Sequence, residues 1–320
     1  MYGYTNSRVL KTEIIKRMEK VIVTGANGFI GSSLVKSLVS RGVKVIAVDI
    51  CFANSRLPES DLIETVEAGV DEKLADKISK DAYDAFYHLA WRGVNGAEKA
   101  DPNIQLANIE MAIACAKVCK KLDVKKLLCA GTVAENATCS LSNLTKTGGG
   151  MMYGVAKHAC RLILEDYCKN IGLPFVWMQF SNIYGVGNKT GNLVSYTLGE
   201  VLTGNLASFG PAQQPYDFIY VDDLIDAVCR LGENLTDKSF YFIGSGNPRK
   251  LKDYLVEIGE KAGRADLIGI GIRPDDGIKY TLDMFDNADL LRAVGDYVKT
   301  PFEDGIVKTI EWMKNIIVKK

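Results

Sequence analysis

From residue 20 onward, short apolar runs alternate with stretches of helical spacing. VIVTG (21–25) is a β-branched run closed by glycine, which reads as a buried strand. Residues 32–40 have helical spacing, and Gly42 can end that helix. VKVIAVD (43–49), AFYHLA (85–90) and KLLCAG (126–131) predict three more buried strands. Between them, 73–80 suits a short helix and 104–121 a long one rich in Ala, Ile and Cys. Residues 151–170 predict another helix, and FVWMQFSNIYG (175–185) a strand running into a loop. Strand and helix in turn, with each strand apolar throughout, predict an α/β fold: parallel strands covered on both faces. The order weakens after 185, where loops rich in Gly, Asn and Pro occupy 185–192 and 204–216. Residues 247–320 read as short helices and strands of a smaller lobe.

Composition narrows the class. Hydrophobic residues make up 47% and charged residues 24% of the 320, as in ordinary soluble domains. Lys plus Arg balances Asp plus Glu at 39 each, which advertises no face for nucleic acid. No apolar run approaches the ~20 residues of a membrane span. The eight cysteines form no C-x-x-C, and the two histidines, His88 and His158, build no zinc pattern; no metal is expected. Scattered cysteines predict reduced thiols and a cytoplasmic protein. Residues 1–19 lack the apolar core of a secretion signal and read as an N-terminal extension.

The first strand ends in 25-GANGFIG-31. Gly25, Gly28 and Gly31 follow G-x-x-G-x-x-G, close to the G-x-G-x-x-G of dinucleotide-binding turns. Glycine permits a tight turn and close approach of backbone to a pyrophosphate, and the next helix offers unpaired N–H groups to that anion. Gly25, Gly28, Phe29, Ile30 and Gly31 are therefore assigned to a cofactor. Asp49 closes the second strand, 18 residues past Gly31. A carboxylate there accepts both ribose hydroxyls and repels a 2′-phosphate, which favours NAD over NADP. The competing reading is a strand-end Asp that caps a turn. Together these features predict a Rossmann-type doubly wound sheet.

Tyr153 and Lys157 share one helical face at i, i+4. Alone, the pair reads as a surface contact. Beside a dinucleotide, the ammonium and the positive nicotinamide ring would lower the phenol pKa from ~10. The phenolate could then take a proton from a substrate hydroxyl. Thr132 follows the fourth strand at its C-terminal end, where open α/β sheets bind ligands, and its hydroxyl could share the reacting oxygen.

Taken together, GANGFIG, YHLAW (87–91), AGTVAE (130–135), YGVAK, SNIYG (181–185), YDFIYVDDL (216–224) and RPDD (273–276) resemble the extended short-chain dehydrogenase/reductase family. The likeness is to its nucleotide-sugar epimerase, dehydratase and reductase branch, from about residue 20 to 314. The resemblance implies a catalytic Thr132, Tyr153 and Lys157. It implies that Leu89 and Ala90 line the cofactor, and that Asn108 supports the lysine and tyrosine. Asn182, Asn192 and Leu193 would contact the sugar diphosphate. Arg273 and Asp276 would grip nucleotide phosphate and ribose, and Tyr216 stands where many relatives have arginine. It further implies a Rossmann domain at 20–175, to which 217–246 returns, and a substrate-binding lobe from 176–216 and 247–320. Family members often form homodimers through the helices here at 104–121 and 151–170.

Several positions depart from the family. Thr132-Val133-Ala134 replaces the Thr-Asp-Glu of dehydratases, which argues against dehydration. Gln179 also stands where arginine is common, and Asp275 replaces a glycine. Trp91 and the run at 148–150 are candidates for shaping the sugar pocket. His88, His158, Cys115 and Cys119 read as packing residues, and Asp222 and Asp223 as caps of a helix starting near Leu224. Three functions remain: an NAD-dependent epimerase acting at C4 of a nucleotide-linked hexose, an NAD(P)H-dependent reductase of a 4-keto-6-deoxy sugar nucleotide, or a non-catalytic NAD sensor.

Overall fold

The computed structural model describes residues 18–317, so most of the expected N-terminal extension lies outside the described residues. The first half runs β1 (Lys20–Thr24), α1 (Phe29–Ser40), β2 (Lys44–Asp49), β3 (Ile63–Glu67), α2 (Leu74–Lys77), β4 (Ala85–His88), α3 (Pro102–Lys121), β5 (Leu127–Thr132), α4 (Gly149–Asn170) and β6 (Phe175–Phe180). The second half runs β7 (Asn182–Tyr184), α5 (Leu193–Leu202), β8 (Ala207–Ser208), β9 (Pro215–Tyr216), β10 (Phe218–Tyr220), α6 (Val221–Glu233), β11 (Phe240–Ile243), β12 (Arg249–Lys250), α7 (Leu251–Ala262), β13 (Ile268–Gly269), α8 (Ala288–Val294) and α9 (Phe302–Ile317).

Seven strands make one parallel sheet in the order β11-β6-β5-β4-β1-β2-β3. The expected doubly wound sheet is the fold observed. The chain runs outward from β1 to β3, then crosses back to β4. That reversal opens a crevice beyond the C-terminal ends of β1 and β4. One face is covered by α1 through Leu34, Val35 and Leu38 and by α6 through Leu224, Val228 and Leu231. The other carries α3 and α4, packed through Ala112, Cys115, Cys119, Cys160, Leu164 and Cys168. Free thiols thus serve as small apolar side chains in that layer. No helix among the described residues is long and apolar enough to cross a membrane.

Three differences from the sequence reading have physical causes. The edge strand β3 was not foreseen, because its residues are half-buried or exposed and carry no apolar run. Residues 176–180, expected in the substrate lobe, lie in β6 and pair with β5 inside the sheet. Asp223 does not cap α6, which starts at Val221. Its carboxylate instead accepts from the Thr300 backbone N–H at 2.9 Å, tying α6 to the segment before α9.

The smaller lobe is built from three strand pairs, β7 with β10, β8 with β13 and β9 with β12, packed on α5, α7 and α9. Phe218, Tyr254 and Phe302 form its aromatic centre, with ring centroids 4.9 Å (218–254) and 4.7 Å (254–302) apart.

Candidate active site

The turn from β1 into α1 is tight because three glycines leave no side chain in it. Gly25 has φ +69°, and a Cβ there would lie 2.8 Å from the Ala90 nitrogen. A Cβ on Gly31 would lie 2.0 Å from the Gly25 carbonyl oxygen. The backbone is thereby exposed at the mouth of the crevice. Gly28 caps α1 without a side chain, so the first-turn N–H groups face outward as an anion cradle. Asp49, at the end of β2, accepts from the Asn27 backbone at 2.9 Å and the Ile50 backbone at 2.8 Å. Each of its oxygens keeps a second lone pair, enough for two ribose hydroxyls. Leu89 and Ala90 follow β4, and the Leu89 N–H bonds the Thr24 carbonyl at 3.2 Å, which holds that segment against the glycine turn. Phe29 and Ile30 begin α1 and are half-buried. These residues fit a dinucleotide.

Next to the cradle stand the three predicted catalytic residues. Thr132 ends β5 and caps the 3-10 turn at Val133–Asn143. Its Oγ1 accepts from the Ala134 N–H at 3.2 Å, and its own N–H donates to Glu135 Oε1 at 2.7 Å. Gly154 lets α4 press against this turn, since a Cβ there would sit 2.3 Å from the Ala134 carbonyl oxygen. That close approach brings Tyr153 near Thr132, whose hydroxyl favours the phenolate. Lys157, one turn on, is 4% exposed. Its Nζ donates to the Ala130 carbonyl at 2.7 Å and lies 3.6 Å from the centre of the Trp91 ring.

The groups of the chain do not by themselves acidify the phenol. Burial pushes the Tyr153 pKa up, with Glu135 adding to the rise, and the Thr132 hydroxyl offsets only part of it. Burial also lowers Lys157 to about 8. The ammonium faces an indole and a carbonyl and does not bond the phenol. A phenolate here therefore needs positive charge from a bound group as well as from the chain.

Trp91 is held edge-to-face with Tyr153, centroids 6.2 Å apart, and its Nε1 donates to Gln105 at 2.9 Å. Asn108 bonds neither Lys157 nor Tyr153. Its side chain takes both backbone groups of Arg92, accepting from the N–H and donating to the carbonyl at 2.8 Å each. It supports the site through the loop after β4.

The expected substrate residues divide. Asn192 caps α5 by accepting from the Ser195 N–H at 2.9 Å and donates to the Ile183 carbonyl at 2.8 Å. Leu193 opens α5 and packs on the core. Asn182 donates to the Asp217 carbonyl at 3.0 Å. These three hold the lobe in shape. Tyr216 meets Tyr280 edge-to-face at 6.3 Å. Arg273 donates to the Tyr196 hydroxyl at 2.8 Å, and Asp276 accepts from the Ile278 N–H at 3.0 Å. Both are exposed, on a segment that reaches from Gly210 to Ser140 and Leu144. Tyr280, at its end, packs on the small cluster of Val133, Phe242 and Phe285, which brings this segment near the turn after β5.

Two features were not foreseen. Glu135 is 1% exposed and also accepts from Trp177 Nε1 at 3.0 Å. Gln179, which stands where arginine is common in the family, is buried and donates toward Glu135 and Asn136 beneath the site. The T-x-x-E spacing at 132–135 is a capping-box signal that points to Glu135. The other feature is Lys99, 5.1 Å above the Tyr153 ring. A separate cleft of about 600 Å³ between β10, α7 and the start of α9 contains none of the predicted site residues.

The model of the NAD dependent epimerase/dehydratase family matches residues 21–244. A putative UDP-glucose 4-epimerase of Methanocaldococcus jannaschii is 23% identical, with 92% of this chain and 98% of that protein covered. The dTDP-6-deoxy-L-talose 4-dehydrogenase (NAD(+)) of Aggregatibacter actinomycetemcomitans is 26% identical over 74% of this chain and 88% of its own. Among solved structures, UDP-N-acetylglucosamine 4-epimerase of Methanobrevibacter ruminantium M1 superposes with a TM-score of 0.78 at 22% identity, covering 94% of this chain and 99% of that one. At that identity the likeness speaks for the fold.

Proposed function

We propose a function from one premise: this chain belongs to the NAD-dependent epimerase/dehydratase family, and NAD is its cofactor. The reading is an epimerase that inverts C4 of a nucleotide-linked hexose. The observation that carries it is Tyr153 on α4, edge-to-face with Trp91 and brought against the turn after Thr132 by Gly154, at the same end of the sheet as the glycine cradle.

In this reading the glycine turn and the N-terminus of α1 hold the pyrophosphate, and Asp49 holds the adenosine ribose. When bound, NAD supplies a hydride acceptor that can give the hydride back. Tyr153 takes the proton of the sugar 4-hydroxyl and later returns it. Thr132 shares the reacting oxygen and fixes its place. Lys157 keeps positive charge beneath the phenol, which favours the phenolate at the moment of proton transfer. The 4-keto sugar turns over before it is reduced on its other face. Glu135 speaks against elimination of water. It is the one acid in 132–135, and it is turned inward onto Thr132 N–H and Trp177.

A 4-keto reductase is the second reading. It is favoured by the match to a 4-dehydrogenase of a 6-deoxy sugar nucleotide and by the tyrosine at 216. Purified protein is denatured and assayed for released NAD, then native protein is incubated with UDP-glucose or UDP-N-acetylglucosamine without added cofactor. Interconversion is the expected result. Consumption of NADH or NADPH only with a 4-keto sugar nucleotide moves the assignment to the reductase. Saturable NAD binding without turnover of any sugar nucleotide leaves a sensor.

A further inference from the structure

Lys99 lies in the 3-10 turn Ala97–Ala100, between β4 and α3, with its Nζ 5.1 Å from the centre of the Tyr153 ring. The loop that delivers it is built and held. Gln105, 1% exposed, donates to the carbonyls of Gly93 and Glu98 at 3.0 and 3.3 Å. Asn108 clamps both backbone groups of Arg92. Gly93 has φ +69°, and a Cβ there would meet the Glu98 carbonyl oxygen at 2.8 Å. Across from it stands Gly150 at the start of α4, where a Cβ would be in ordinary van der Waals contact with Lys99 Nζ at 4.0 Å.

The loop's other cation, Arg92, is matched by Glu98 at 2.9 Å. Lys99 has no such match: among the described residues no carboxylate pairs with it. Burial lowers its pKa and no acid offsets the loss. Lys99 is half-buried and lies over the face of the Tyr153 ring, which attracts a cation but does not neutralise it. Such a group is suited to a ligand's charge.

We propose that Lys99 is a specificity residue that pairs with a carboxylate carried on the substrate's sugar near the reacting carbon, as in a nucleotide hexuronate. The inference rests on the sugar-nucleotide reading above. In that reading the phenol of Tyr153 sits at C4, so the diphosphate on C1 is across the sugar ring. An anion within reach of Lys99 then belongs to the sugar and not to its phosphates.

The test titrates UDP, UDP-glucose and UDP-glucuronate into NAD-loaded protein by calorimetry. Wild type is expected to bind UDP-glucuronate at least about tenfold more tightly than UDP-glucose, the worth of one charged hydrogen bond. Lys99→Met should erase that preference and leave UDP, UDP-glucose and NAD binding unchanged, while Lys99→Arg should restore most of it. Equal affinity of wild type for the two sugars overturns the proposal alone. So does an equal loss with all three ligands in Lys99→Met, which would assign Lys99 to the diphosphate. Binding of none of the three removes the sugar-nucleotide reading for uridine, and this inference with it.

Discussion

The Lys157 ammonium stands 3.6 Å from the centre of the Trp91 indole, which covers it from water. An indole face attracts a cation, by about 2 kcal/mol when the pair is desolvated. That attraction does not restore lost hydration, and burial still lowers Lys157 from 10.5 to about 8. Lys157 is thus held in place at a cost to stability.

The cost has a pH signature. Below about pH 8 the folded and unfolded states both carry the proton, and folding bears the whole cost of burying the charge. Between about 8 and 10.5 the folded protein has released a proton that the unfolded chain still holds, so stability rises with pH. Lys157→Met is expected to be more stable than wild type at pH 7, by up to about 3 kcal/mol at ~1.36 kcal/mol per unit. The gap should shrink above pH 8. Lys126, also lowered to about 8, contributes equally to both proteins and cancels. Urea unfolding at pH 7, 9 and 10.5 checks this, and a gap that does not change with pH refutes it.

Tyr153→Phe removes one oxygen and little volume. Turnover is expected to fall by roughly 10²–10⁴-fold, the range for a lost general acid–base group. NAD binding should stay near wild type, because the cradle at 25–31 is untouched. Single-turnover reduction of bound NAD by substrate, followed by absorbance, separates the two effects. Wild-type rates in the variant would remove the mechanism.

Asp49 has two tasks that one substitution can divide. Its carboxylate anchors the Asn27 and Ile50 backbone N–H groups, and it is expected to accept the ribose hydroxyls. Asp49→Asn keeps one acceptor for the backbone and removes the charge that repels a 2′-phosphate. NAD affinity should drop by about tenfold or more, as for a lost charged hydrogen bond, while NADP affinity holds or improves. Dissociation constants for both cofactors test it; equal weakening of the two counts against the ribose role.

What could be read from the sequence was local. The glycine spacing at 25–31 states its own demand, because a Cβ at Gly25 or Gly31 would collide with neighbouring backbone and one at Gly28 would crowd it. The four-residue step from Tyr153 to Lys157 places them on one face in any helix. Asn108 and Gln179 stood out as family positions, yet their partners, Arg92 and Glu135, are fixed by tertiary packing. Lys99 was invisible for the same reason: its meaning lies in a tyrosine on a helix far along the chain. The upward push of burial on the phenol was not legible, because it depends on everything packed around Tyr153, which no spacing reports.

Glu135 offers the sharpest test of the electrostatics. Its buried carboxylate receives the Thr132 N–H and the Trp177 indole, with Arg161 Nε 3.7 Å away. Its negative charge raises the pKa of Tyr153 and that of Lys157. Glu135→Gln keeps the shape and an acceptor for the Thr132 N–H, and removes the charge. Both pKa values should therefore fall. The acidic limb of the kcat–pH profile, where the phenol must lose its proton, is expected to move to lower pH. The stability rise that Lys157 contributes should begin at lower pH as well, because less charge opposes its deprotonation. A residue that only propped the turn after β5 would lower activity at every pH by the same factor and leave both positions unmoved. A pH–rate profile together with unfolding curves across pH 6 to 11 decides between these outcomes. Movement of the two in opposite directions would show that the carboxylate is not their shared cause.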